Sequence, residues 1–308
     1  MAGVSASQDS RTHTRAKGRR RSIPSGLLGL LLVLPATILA LVVMVVPLVV
    51  TLLASLNGPR ADRIQFPSLG AFKFALLTPG LEQAVVNGLV WAVIAVVVAP
   101  TVALISAALV EDGPVPGKAL VRFLFFCPYI LSLAVAGVIF GRFYDPSYGL
   151  FNMVLRAIGL PSGTQWLGDP SLALGAAIVV FLWHEIPFCF LVFSSAVRQL
   201  DRELYEAARL DGAGGLRIFV SITTPQLRRI WAVLAAVMFI TGMVAFPVIF
   251  ALTAPAVGAP SHATEILPTL IYTQGIQGGN APTAAALSVS TASNPIATRL
   301  IEVFSSLL

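Results

Sequence analysis

Apolar residues arrive in long, nearly uncharged runs separated by short polar stretches. The first, residues 26–56, carries no charge over 31 positions. That exceeds the roughly 7–15 residues of a signal-peptide core and the ~20 that cross a hydrocarbon layer of ~30 Å. It predicts a membrane span that tilts or projects, with Pro35 and Pro47 as kink points. Further runs at 84–110, 119–140, 172–197 and 230–252 predict four more spans. Residues 57–83, rich in Pro and Gly, read as a loop, and 111–118 as a turn. In the loop 141–171, Leu150, Phe151, Val154, Leu155 and Ile158 share one helical face, which predicts a helix lying along the membrane interface. Trp166 nearby suits the interfacial aromatic belt. Residues 253–308 read as a polar loop and a weak sixth helix over about 283–304. The pattern predicts an all-α, polytopic membrane bundle over 26–308, preceded by a disordered basic tail at 1–25.

One polar stretch breaks this rhythm. Residues 198–229 hold ten of the chain's 34 Lys, Arg, Asp and Glu residues. Asp201 is a good N-cap, because its carboxylate accepts from amides of a first helical turn. Leu204, Tyr205 and Ala208 then recur at helical spacing. The run Asp211-Gly212-Ala213-Gly214-Gly215 stops that helix, since glycine takes the left-handed conformation without steric cost. Leu216, Phe219 and Ile222 form a second amphipathic turn, which Pro225 is expected to break.

Composition narrows the function classes. The chain is 56% hydrophobic and 11% charged, with a mean hydropathy of +0.86, whereas soluble domains are about 25% charged. The formal net charge of +6 does not imply nucleic-acid binding, because the basic residues are sorted by loop. With the N-terminus inside, cytoplasmic segments carry 15 of the 20, including Arg19, Arg20 and Arg21, and the outer segments five. That asymmetry orients membrane proteins and places 198–229 in the cytoplasm. Cys127 and Cys189 fall in apolar runs and read as small hydrophobes. His184-Glu185 is not a zinc-binding H-E-x-x-H pattern, because Phe188 fills the fifth position. The segment GPVPGKA is not a phosphate loop either. It has three residues between its glycines, and Ala119 stands where Ser or Thr must hold Mg²⁺. No catalytic or metal constellation is expected.

The segment EAARLDGAGGLRIFVSITTP closely resembles the cytoplasmic EAA loop of ABC importer permeases, and its Asp-Gly-Ala variant resembles the carbohydrate-uptake branch. The likeness extends over most of 84–287, with weaker support from VVNGLVWAV and RFLFFCPYILSLAVAGVIFGRFYDPSYGLFN. Arg229 departs from the pattern, since many relatives carry a second proline there. The resemblance implies the fold of a type I ABC importer permease with about six spans in the cell membrane, translocating a sugar or sugar derivative. Glu206, Ala207, Ala208, Asp211, Gly212 and Ala213 would form the coupling helix that seats on an ATPase subunit. The implied partners are ATPase subunits, which hold the ATP and Mg, a second permease subunit, an extracytoplasmic solute-binding protein and the bilayer. No cofactor is expected on this chain, and no nucleic acid. The alternatives are a related solute such as glycerol phosphate or a polyol, or an inactive or regulatory permease-like protein.

Three further expectations follow from the residues. His184 and Glu185 fall at the middle of the fourth span, where a charge costs about 2.5–3.5 kcal/mol on insertion scales. With Pro187, which removes a backbone donor, they are the candidate solute passage. The loops 141–171 and 254–282 are long enough to be functional and are candidates for contact with the binding protein. Lastly, Ser288, Ser290, Thr291, Ser293, Asn294, Pro295, Thr298, Arg299 and Glu302 weaken the sixth helix. It is expected to be present but marginal, held by packing, with a chain end degenerate relative to the family as the alternative.

Overall fold

The computed structural model describes residues 25–59, 65–254, 258 and 260–292. The basic tail, Arg60 and Arg63, and the expectations on Ser293, Asn294, Pro295, Thr298, Arg299 and Glu302 lie outside the described residues. Residues 1–50 and 51–308 form separate compact units. Helix α1 (Ser25–Ser55) contains Pro35 and Pro47 and has 24 residues, Leu32–Ser55, apolar enough to cross a membrane.

The second unit is built from α2 (Gly70–Leu76), α3 (Leu81–Asp112), α4 (Lys118–Ile130), α5 (Leu133–Phe143), α6 (Leu150–Ala157), α7 (Pro170–Val197), α8 (Arg202–Leu210), α9 (Gly215–Ile218), α10 (Thr224–Met243), α11 (Phe246–Thr253), α12 (Leu267–Tyr272) and α13 (Ala281–Ala292). Helix α3 is its axis and packs against both α7 and α10. Its sequence explains why. Ala84, Ala92, Ala95, Ala99, Ala103 and Ala107 recur every three, four or eight positions and are fully buried. A stripe of small side chains lets neighbouring helices approach closely, which is how helices associate where lipid removes the hydrophobic drive. Helix α7 answers with large groups, burying Phe181, Phe190 and Phe193 completely. Trp91 meets Phe181 edge-on at 5.5 Å, the geometry favoured by the ring quadrupoles. Helix α5 pairs with α11, and Gly137 permits it, since a Cβ there would lie 2.7 Å from the Ala251 Cβ.

Several boundaries differ from expectation. The third span is not one helix over 119–140. It is α4 followed by α5, bent by 93°. Pro128 removes a backbone donor from the last turn of α4. Leu131 and Ser132 are then extended, and the Ser132 hydroxyl caps α5 by accepting from the Val135 amide at 3.3 Å. The fifth span is shifted as well. Pro225 does not break the chain, because a π turn at Phe219–Thr223 absorbs the missing donor. Helix therefore runs unbroken over Gly215–Met243. It stops at Val244, and α11 begins a new helix with Pro247 in its first turn. The loop 57–83 contains α2, and the segment before the last helix contains α12 and a second π turn, Thr273–Gln277. The sixth helix is seen only as α13, where Thr283, Ala286 and Leu287 are buried. Among the described residues four helices are long and apolar enough to span, or five with the bent pair.

Candidate functional site

Helix α8 forms as the sequence implies. The Asp201 carboxylate accepts from the Glu203 amide at 2.9 Å. At the other end Gly212 has φ +76°, and Ala213 N–H donates to Ala208 O at 2.9 Å while Gly212 N–H donates to Arg209 O at 3.1 Å. That is a Schellman stop, which satisfies the last helical carbonyls and turns the chain sharply. The stop leaves Glu206, Ala207, Asp211 and Gly212 exposed and Ala208 and Ala213 half-buried. Leu210, at 89% exposure, projects beside them. Only Tyr205 of α8 is buried. Its hydroxyl meets Thr223 Oγ1 at 2.7 Å inside the π turn, tying α8 to the start of α10. Burial raises the Tyr205 phenol pKa, so it stays a neutral hydrogen-bonding group. Between α8 and the end of α3 lies an apolar cavity of about 480 Å³, bounded by Leu109, Tyr205, Arg209, Leu216 and Phe219.

The second group of candidates is in α7. His184 and Glu185 are both buried, with Nδ1 of His184 3.0 Å from Oε1 of Glu185. The other ring nitrogen, Nε2, lies 2.8 Å from Leu131 O, at the break between α4 and α5. A carbonyl only accepts, so Nε2 carries a hydrogen. Nδ1 then either accepts from a neutral carboxyl or donates to a carboxylate, and the pair is net neutral both ways. That neutrality removes most of the insertion cost expected for a charge at this depth. Pro187 is buried one turn on. The Tyr129 ring is 5.2 Å from His184 and stacks on Phe188 at 5.3 Å. The α7 and α8 candidates lie on different helices, and along the chain 19 positions separate Pro187 from Glu206.

No protein-family model matches the chain. A probable ABC transporter permease protein of Bacillus subtilis, YurN, is 38% identical over 199 residues, 63% of this chain and 66% of that protein. The sn-glycerol-3-phosphate transport system permease protein UgpA of Brucella abortus is 31% identical over 227 residues, 73% of this chain and 75% of that one. The chain belongs to the ABC transporter permeases. The lactose transport system permease protein LacF of Rhizobium radiobacter is 29% identical to this permease over 79% of its chain and 82% of that protein. Among solved structures, a bacterial alginate ABC transporter in complex with its alginate pentasaccharide-bound periplasmic protein shares the permease fold. The TM-score is 0.77, with 91% of this chain and 92% of that chain covered at 22% identity.

Three polar features of the permease escaped sequence reasoning. Asn87, at the start of α3, donates from Nδ2 to the carbonyls of Ala263 and Glu265 at 3.0 and 2.9 Å, clamping the loop before α12. Asn152, the one buried residue of α6, accepts from the amides of Gly163 and Thr164 and donates to Thr164 O. Glu111, at the end of α3, receives a two-pronged ion pair from Arg122 of α4, Nε to Oε1 at 2.7 Å and Nη2 to Oε2 at 2.8 Å. The hydroxyl of Ser194 on α7 also donates to Glu111 Oε1. The only signal available in the sequence was a polar residue inside or beside an apolar run, and nothing local names its partner.

Proposed function

We propose that this permease moves a sugar or sugar derivative inward across the cell membrane as one subunit of an ATP-driven importer. The carrying observation is the capped, Schellman-terminated α8, which presents Glu206, Ala207, Asp211 and Gly212 outward. A helix with small side chains and a sharp glycine exit can lie in a groove of a second protein, and the family relationship supports an ATPase subunit as that protein. In this reading Mg-ATP belongs to the ATPase subunits, and this chain has no catalytic role. A second permease subunit completes the passage, with His184, Glu185 and Pro187 of α7 at its middle. The basic-residue asymmetry supports a cytoplasmic N-terminus. The loops around residues 147 and 261 then face outward, toward a solute-binding protein. The sugar assignment leans on the lactose-system relative, and the UgpA likeness makes a glycerol phosphate the alternative solute.

Coupling requires that ATP favour one orientation of the passage over the other, since a ligand shifts an equilibrium only by its differential affinity. The test is co-purification and reconstitution. The tagged chain should bring down an ATPase subunit, and a screen of sugars and polyol phosphates against the binding protein should name the solute. Recovery of the chain in good yield with no ATPase attached would end this reading.

A further inference from the structure

The Glu111 cluster joins three helices at one point, and the proposed role of α8 gives that point a task. Glu111 has 4% of its side chain exposed and Arg122 25%, while Ser194 is fully buried. The carboxylate, itself little exposed, receives three donors, Nε and Nη2 of Arg122 and Oγ of Ser194. Its own backbone carbonyl accepts from Lys118 Nζ, which fixes the turn between α3 and α4. Ser194 is in the last turn of α7, and Arg198 Nε donates to Ser194 O at 3.2 Å. Four residues further on, α8 begins. A small polar cavity of about 180 Å³ separates the clamp from Glu206 and Arg209 of α8.

The far end of α4 is held too, by His184 Nε2 on Leu131 O. Arg122 to Leu131 is nine residues, about 14 Å of helix, and Ser194 back to His184 is ten, about 15 Å. The two helices are thus pinned near both ends over similar lengths, one pin running through Glu111 of α3, and both pins resist sliding of α4 along α7. One pin is at the coupling segment and the other at the midplane pair. Stability alone explains this poorly. The desolvation of a buried ion pair offsets most of its attraction, so apolar replacements are often as stable.

We propose that the Glu111–Arg122–Ser194 clamp is the positioning element that carries movement of the coupling helix to α4 and the His184–Glu185 region. The inference rests on the transporter reading above. Ser194→Ala detaches α7 while leaving the ion pair intact. The double variant Glu111→Gln/Arg122→Gln removes both charges, so neither is left unpaired if a single change misfolds the chain. The probe is a cysteine at Tyr129, beside His184, in a Cys127→Ser background, labelled with an impermeant maleimide. The protein is the full complex with its ATPase subunits, with and without ATP and vanadate. In the parent the labelling rate should change about tenfold on vanadate trapping, the usual scale of a coupling free energy. In both clamp variants the complex should assemble and trap vanadate, with the labelling change lost.

Labelling changes equal to the parent's in both variants would overturn the proposal. So would loss of complex yield, trapping and labelling together, which marks a purely structural tie. A parent complex that traps vanadate without any labelling change overturns it as well, because the clamp would then lead nowhere. A parent chain that binds no ATPase sinks the transporter reading instead, and co-purification shows that separately.

Discussion

At Gly212 the case for glycine is conformational and not spatial. Its φ is +76°, and a Cβ built there would meet nothing within 4 Å. An L side chain in that region costs about 1–2 kcal/mol, while Asn is tolerated because its short amide bonds locally. Gly212→Val should therefore insert normally but lose ATPase association and transport, and Gly212→Asn should retain most of both. Co-purification with the ATPase subunit measures this, and equal behaviour of the two variants would count against a role for the turn. Glu185 poses the opposite case, a residue whose chemistry outweighs its shape. Gln at 185 still reaches His184 Nδ1 with an amide hydrogen but cannot give up a proton. Glu185→Gln should leave assembly intact and change solute affinity severalfold, the equivalent of about 1 kcal/mol. Failed assembly would make the pair a structural bond between spans. His184 and Glu185 are neighbours in the sequence, but the carbonyl that holds the other side of the ring was not visible there. Gly212 was legible because a stop is a local event, whereas the Leu131 carbonyl lies 53 positions from His184.

Among the elements, hydropathy located the apolar runs and the glycine stop located the end of α8, but neither carries direction. Two helices at 93° have the same apolar count as one straight span, so the break at 131–132 was invisible to composition. Pro225 misled for a related reason. Proline forbids one backbone bond, and a π turn supplies a route round it that the residue type does not announce. Asn152 was hidden by the amphipathic face of α6, where a polar residue reads as solvent-facing. Packing gives the element-scale prediction. Gly137 brings α5 against α11, and even a methyl group there would meet the Ala251 Cβ at 2.7 Å and the Val248 carbonyl at 3.1 Å. Overpacking of this kind costs about 1–3 kcal/mol. Gly141, one turn on, has nothing within 4 Å of its built Cβ. Gly137→Ala should lower the thermal midpoint in detergent, and Gly141→Ala should leave it unchanged. Equal midpoints would mean that the two helices separate freely.

Among the described residues, the interhelix bonds sort the helix ends into two groups. The end of α3, the start of α4 and the last turn of α7 meet at Glu111, with α8 beside them. Asn87 near the start of α3 is bonded to the loop at 262–265. The Tyr144 hydroxyl, just past α5, donates to Ala176 O near the start of α7. Because α3 and α7 each cross between these groups, fixing the side of one group fixes the other. In the proposed orientation the Glu111 end lies inside, and with it every exposed candidate of α8. Cysteines placed singly at Ser147, Ser261 and Arg209, all exposed, test this in a background with Cys127 and Cys189 replaced. An impermeant thiol reagent added to intact cells should modify positions 147 and 261 and spare 209. Inverted vesicles should give the reverse. Modification of 209 from outside would invert the molecule and remove α8 from the compartment that holds ATP. Modification of 147 and 209 from the same side would go further and contradict the span between them, α7, as a membrane crossing.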